Sequence, residues 1–237
     1  MKFTKILVLA CLTWSSWLHA APVWVAQTLE FKPGGSDRFI AGLNRFMASE
    51  LGQKTPGNVA LNWLSVNGTD QATHGMVMTF PSMEAFQKWN TTFWLDPVHA
   101  TDRLEWGNVW TATVEKSNER MMTSIQSWGP ASSDYRHTEW VPLDTTQLGE
   151  VADTLDKFLN TPDGKKFKGR VTLVECLFCG ESQMSGAIAV AYRDMAEMDA
   201  WRAIYSQSED FANWADRMNE VATFLGNSLI VNLQRFE

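Results

Sequence analysis

The chain has 237 residues, 45% of them hydrophobic and 20% charged, and a formal charge of −7. An apolar fraction of this size supports a packed core and excludes a disordered or low-complexity chain. Three cysteines exclude a disulfide-built miniprotein, and the acidic balance gives a nucleic-acid role no electrostatic support. The length fits one large domain or two of about 100 residues. Twelve tryptophans are an unusual number for this length.

The N-terminus opens with Lys2 and Lys5, an apolar run from Ile6 to Leu12, and Leu18-His19-Ala20, which presents a small residue at a cleavage position. This order reads as a secretory signal peptide over residues 1–20, cut after Ala20, and implies a periplasmic or secreted protein. The apolar run is shorter than the roughly 20 residues that span a bilayer, and no later stretch is long and apolar enough. A lipid-bearing Cys11 is the alternative, but the apolar run before it is short.

Trp24 to Phe31 alternates as a strand does. Asp37 to Leu51 carries Phe39, Ile40, Leu43, Phe46 and Met47 at helical spacing. Residues 59–66 and 75–80 read as strands around an Asn67-Gly68-Thr69-Asp70 turn. Ser82 is placed to cap a helix, and Asn108 to Val114 reads as a closing strand. The polar segment 116–135, with Gly129-Pro130, reads as a linker. The same order returns at 138–143, 147–160, 171–178, 186–192, 195–224 and 228–235. Residues 25–80 align with 137–192 without a gap, so that Leu43 meets Leu155, Phe46 meets Phe158 and Gly57 meets Gly169. Further on, Met83-Glu84-Ala85-Phe86 meets Met198-Asp199-Ala200-Trp201, and Gly107-Asn108 meets Gly226-Asn227. The expected organisation is a signal peptide (1–20), a first repeat (21–115), a linker (116–135) and a second repeat (136–237).

A β-α-β-β-α-β unit is a ferredoxin-like split βαβ. Its sheet carries helices on one face and needs a cover on the other, and a second such sheet supplies it. The expected fold class is therefore α+β: a tandem ferredoxin-like duplication whose two antiparallel sheets pack as an intramolecular α+β barrel. In this pattern the chain resembles the dimeric α+β barrel superfamily, which includes antibiotic-biosynthesis-monooxygenase-like and haem-degrading-monooxygenase-like proteins. The resemblance implies an exported protein that binds a small apolar or aromatic molecule, as a monooxygenase-like or haem-linked enzyme. The alternative is a non-catalytic binding or interaction module. A monomer or a homodimer fits either.

Phe86-Gln87-Lys88-Trp89, with His99 ten residues after the Trp, is similar to the haem-degrading branch of that superfamily. The resemblance implies haem ligation by His99, flanked by Trp89 and by Gln27, which stands where the family carries Asn. The second half has Trp214 and Ile204 at the positions of His99 and Trp89, so a ligand pocket is expected in the first half. His74 and His137 read as strand-end residues. No histidine pair or cysteine cluster has the spacing of a metal site. Cys176-Leu177-Phe178-Cys179 ends a strand, and the pair forms a disulfide only if the chain turns at Phe178 or Cys179; separate thiols, or redox or metal work, are the other readings. Trp24, Trp63, Trp110 and Trp140 are candidates to line a space between the sheets.

Overall fold

The computed structural model describes residues 21–237 apart from 69 and 181. The proposed signal peptide and Cys11 lie outside the described residues. The first half runs β1 (Val23–Phe31), α1 (Gly35–Ala48), β2 (Asn58–Val66), β3 (His74–Phe80), α2 (Met83–Leu95), α3 (Ala100–Thr113) and β4 (Val114–Trp128). The second runs β5 (His137–Asp144), α4 (Leu148–Leu159), β6 (Arg170–Phe178), β7 (Gly186–Tyr192), α5 (Met195–Tyr205), α6 (Glu209–Val221), the two-residue β8 (Thr223–Phe224) and β9 (Ser228–Phe236).

Eight of these strands close into an antiparallel barrel, β7-β6-β4-β1-β3-β2-β9-β5, with β5 returning to β7. Closure leaves no long strand edge open. Each half contributes four adjacent strands, and two seams join them: β4 to β6, and β2 to β9. Polar pairs inside the barrel stitch both seams. Asn232 Nδ2 donates to Asn62 Oδ1 at 3.0 Å, and the Ser127 and Thr172 hydroxyls meet at 3.0 Å.

Strand alternation sorts side chains between two environments. On β1, Val25 and Leu29 point to the helices and are almost fully buried, whereas Trp24, Ala26 and Thr28 point into the barrel. The helices pack on the outer face. In the first half, Leu29, Phe39, Leu43, Leu61 and Met76 form one core. In the second, Leu143, Val151, Leu155, Leu173 and Met218 form its counterpart. α1 and α3 approach closely at Gly42, where an added Cβ would collide with the Val109 side chain.

Three expectations are corrected. Residues 108–113 are the end of α3, because Trp106, Trp110 and Thr113 face one side at helical spacing. The segment read as a linker over 116–135 is mostly β4, the long closing strand of the first half. Its polarity misled because Asn118, Arg120 and Ser124 face the inside of the barrel. The connection between the halves is residues 129–136. The helix expected over 195–224 breaks after Tyr205, and α6 restarts with the Ser208 hydroxyl accepting from Phe211 N.

The aligned register is also displaced at the first strands. Phe80 pairs with Val23 and Tyr192 with His137, so Val23 rather than Val25 corresponds to His137. Gly107-Asn108 lies on α3, whereas Gly226-Asn227 precedes β9. The Ser82 cap forms as expected, accepting from Ala85 N at 3.1 Å. The chain turns after β6, with Gly180 at φ 59°, and Cys176 and Cys179 are joined as a disulfide with Cα atoms 6.0 Å apart. No helix among the described residues is long and apolar enough to cross a membrane.

Candidate functional site

The sequence places Gln27, Trp89 and His99 together, and the structure brings two of them to one pocket. β1 turns the Gln27 side chain toward the helices, beside Glu119, its register partner on β4. Gln27 Nε2 donates to Glu119 Oε2 at 2.5 Å, while Gln27 Oε1 is buried without a hydrogen-bond partner. The pocket above this pair lies between the sheet and helices α1, α2 and α3 and has a volume of about 380 Å³. Phe46, Trp89, Phe93, Trp106 and Trp110 give its walls several aromatic faces. Phe46 stacks on Trp106 with centroids 5.1 Å apart, and Trp89 lies 5.6 Å from Phe93. Glu119 is the single carboxylate among the described residues of this wall, and Arg103 the single cation. Arg103 is committed to the end of α2, donating to Phe93 O at 2.7 Å and Asp96 O at 3.1 Å, which satisfies carbonyls the helix leaves open.

His99 is elsewhere. It ends a short 3-10 turn, Pro97–His99, that joins α2 to α3, and it is 2% exposed. Its Nε2 faces Lys54 Nζ at 2.7 Å and lies 4.0 Å from Asp96 Oδ2. The ammonium can only donate, so Nε2 accepts and its lone pair is engaged. This corrects the expectation of haem ligation. His99 does not line the pocket, and no histidine, cysteine or tyrosine does among the described residues. Met47, Met76 and Met78 line it, but Met47 and Met76 are buried in the first-half core and Met78 is packed against that core. These residues do not fit an axially ligated haem. His99 instead holds the corner between the two helices, a position that Asp102 reinforces by accepting from Leu51 N at 3.0 Å.

The other expected residues fall as follows. His74 is half-buried against Phe31, with its Nδ1 2.9 Å from the Thr73 hydroxyl, and burial lowers its pKa. His137 begins β5. Trp24 and Trp140 face the barrel interior, Trp110 packs between helix and sheet, and Trp63 is 46% exposed. Among the described residues, no group of three or more His, Cys, Asp or Glu side chains is placed to hold a metal ion.

Two further cavities accompany the first-half pocket, of which the space between the sheets was expected. The second half has its own sheet–helix pocket, of about 480 Å³, walled by Phe158, Trp201, Tyr205, Phe211 and Trp214. Of its polar groups, Glu139 accepts from Asn227 Nδ2 at 3.3 Å, burial pushes the Tyr192 phenol well above its ordinary range, and Trp214 Nε1 is a buried donor without a partner, where the first half's pocket offers an unpartnered acceptor. The barrel interior, about 760 Å³, is larger than either sheet–helix pocket. Alternation of polar and small residues along β2, β4 and β6 was the sequence signal for it.

No protein-family model matches the chain, and no curated protein matches it in sequence. Solved structures do match. A candidate monooxygenase from Fusobacterium nucleatum is similar over 92% of this chain and 95% of its own, with a TM-score of 0.60 at 12% identity. An anthrone oxidase-like protein covers 91% and 92%, with a TM-score of 0.59 at 10% identity. A chlorite dismutase from Candidatus Nitrospira defluvii covers 91% and 92%, with a TM-score of 0.54 at 10% identity. At these identities the likeness establishes the fold: a mixed α+β chain built on a closed antiparallel barrel.

Proposed function

We propose that the protein binds a flat aromatic molecule carrying a hydroxyl in the sheet–helix pocket of its first half. The observation that carries this reading is the unpartnered, buried Gln27 Oε1 at the floor of an aromatic-walled pocket, beside Glu119. An orphaned buried acceptor costs about 1–3 kcal/mol, and a ligand O–H that reaches it recovers that cost. The aromatic walls supply stacking and edge contacts for a ring.

The reading extends to an oxygenase. Glu119 is the wall group able to take a proton from an enol or phenol. The resulting electron-rich anion can react with dioxygen. The overall conversion would be a ring methylene plus O2 to a ring carbonyl plus water. The anthrone oxidase-like and monooxygenase neighbours share the fold, and anthrone, whose enol form carries the required hydroxyl, is the natural probe. Glu119→Gln is expected to lower anthrone-dependent dioxygen uptake by roughly 100-fold, within the range of lost general-base catalysis. Binding of 1-naphthol, followed by tryptophan fluorescence, should survive that change and weaken roughly tenfold in Gln27→Ala. Uptake equal in Glu119→Gln and the unaltered protein would overturn the oxygenase. Binding without uptake in the unaltered protein would leave a binding module.

The reading also takes the halves as copies of one ferredoxin-like unit fused in tandem, supported by their matching order of elements and strand pairings. It takes the protein as exported, supported by the charged, apolar and small-residue order of positions 1–20. Exported protein should then begin at Ala21, and without reductant it should take up no iodoacetamide, since Cys176 and Cys179 are bonded. An intact mass that retains residues 1–20 or a lipid on Cys11 would contradict export with cleavage after Ala20.

A further inference from the structure

We infer that the barrel interior is a second binding site, separate from the sheet–helix pocket, that takes an organic anion with an apolar body. Three arginines, Arg120, Arg170 and Arg235, line this cavity, against one carboxylate, Asp70, among the described residues. That is a cationic lining inside a chain whose formal charge is −7. Each arginine stands across the strand pairing from an alanine: Arg120 from Ala26, Arg170 from Ala191, and Arg235 from Ala60. Pairing the longest cation with the smallest side chain leaves open volume at the charged levels. A barrel filled for stability alone would instead interdigitate large and small apolar groups.

The arginines differ in their commitments. Arg235 donates to Ser133 O at 3.2 Å and Tyr135 O at 2.8 Å, and so ties the 129–136 connection to the barrel mouth. Arg120 and Arg170 form no ion pair or side-chain hydrogen bond among the described residues, and Arg120 Nε is buried without a partner. A buried guanidinium nitrogen without an acceptor is costly, and a carboxylate or sulfonate matches the planar fork with two parallel bonds. The apolar part of the lining is Trp24, Trp140, Met122, Val77 and Ile230. The cavity's 760 Å³ lies within the ordinary range for drug-sized ligands. The chemistry that fits is therefore a carboxylate on a ring or short apolar body, with its charge on Arg120 and its body against the indoles.

The test uses 2-naphthoate and its neutral isostere 2-naphthamide, titrated calorimetrically into the whole mature protein. Naphthoate is expected to bind at least roughly tenfold tighter than naphthamide, as charge-assisted hydrogen bonds imply. Arg120→Gln should remove that difference and leave naphthamide unchanged, and Arg120→Lys should restore part of it. If Arg120→Gln does not fold, Arg170→Gln and a salt titration decide, each expected to weaken naphthoate selectively. Equal binding of the two probes, no naphthoate binding, or naphthoate binding indifferent to these changes would overturn the second site. The neutral 1-naphthol titration with Gln27→Ala reports on the sheet–helix pocket independently, so either site can fail alone.

Discussion

Phe39→Ala should destabilise the protein by about 3–5 kcal/mol, the range for deleting a buried aromatic ring. Phe39 on α1 is fully buried, and its ring lies 5.0 Å from Phe31, 5.4 Å from Trp106 and 5.8 Å from Trp110. Truncation leaves a cavity that α1, α3 and β1 cannot close together, because α1 and α3 are already in contact at Gly42 and Val109. For a chain of this length the expected loss of Tm is roughly 10 °C. The same change loosens Trp106 and Trp110, so binding of 1-naphthol should weaken as well. Trp94→Ala is the control: Trp94 is 61% exposed, and its loss should change stability by less than about 0.5 kcal/mol. Thermal unfolding of both variants checks the contrast. Equal effects would mean that the tryptophan-rich core does not carry the first half.

Residues 21–133 expressed alone should associate into dimers or larger species at micromolar concentration. In the whole chain, β4 lies between β1 and β6, and β2 lies between β3 and β9. Cutting the chain exposes both outer edges and the inner face with Trp24, Leu64 and Met122. Open edges recruit further strands, and a wet apolar face recruits a cover. Sedimentation equilibrium reads the outcome. A well-folded monomer across the concentration range would show that one sheet is stable uncovered and that barrel closure is not what joins the halves.

Much of the architecture is written in local pattern. The alternation of β1, the helical spacing of Phe39, Leu43 and Met47, and the Ser82 cap are short-range signals. Short-range physics decides them. The barrel between two sheets follows from counting apolar faces. Reading polarity as exposure to bulk solvent accounts for the segment 116–135. Asn118, Arg120 and Ser124 are polar because they face a cavity, and the strand that carries them looked like a linker. The break before Ser208 was missed because the apolar spacing continues across it, and only the cap marks the new helix.

The site was legible in part. Trp89 and Gln27 do reach one pocket, since strand alternation and helix phase place them there. His99 does not. Chain spacing alone sets His99 ten residues after Trp89, and Pro97 opens a turn that buries the imidazole against Lys54. Glu119 was not singled out because its importance comes from a strand pairing, Gln27 opposite Glu119, between segments distant in sequence. The cationic lining of the barrel was hidden for the same reason, since Ala26 and Arg120 become neighbours only when β4 takes its place.

The most direct test of the central claim, an aromatic ligand held against Gln27 and Glu119, is a crystal structure of the protein with 1-naphthol. The ring should lie between Phe46, Trp89 and Trp106, with its hydroxyl about 3 Å from Gln27 Oε1, an ordinary hydrogen-bond distance. A ring seated in the second half's pocket or in the barrel, with Gln27 Oε1 still unpartnered, would contradict it.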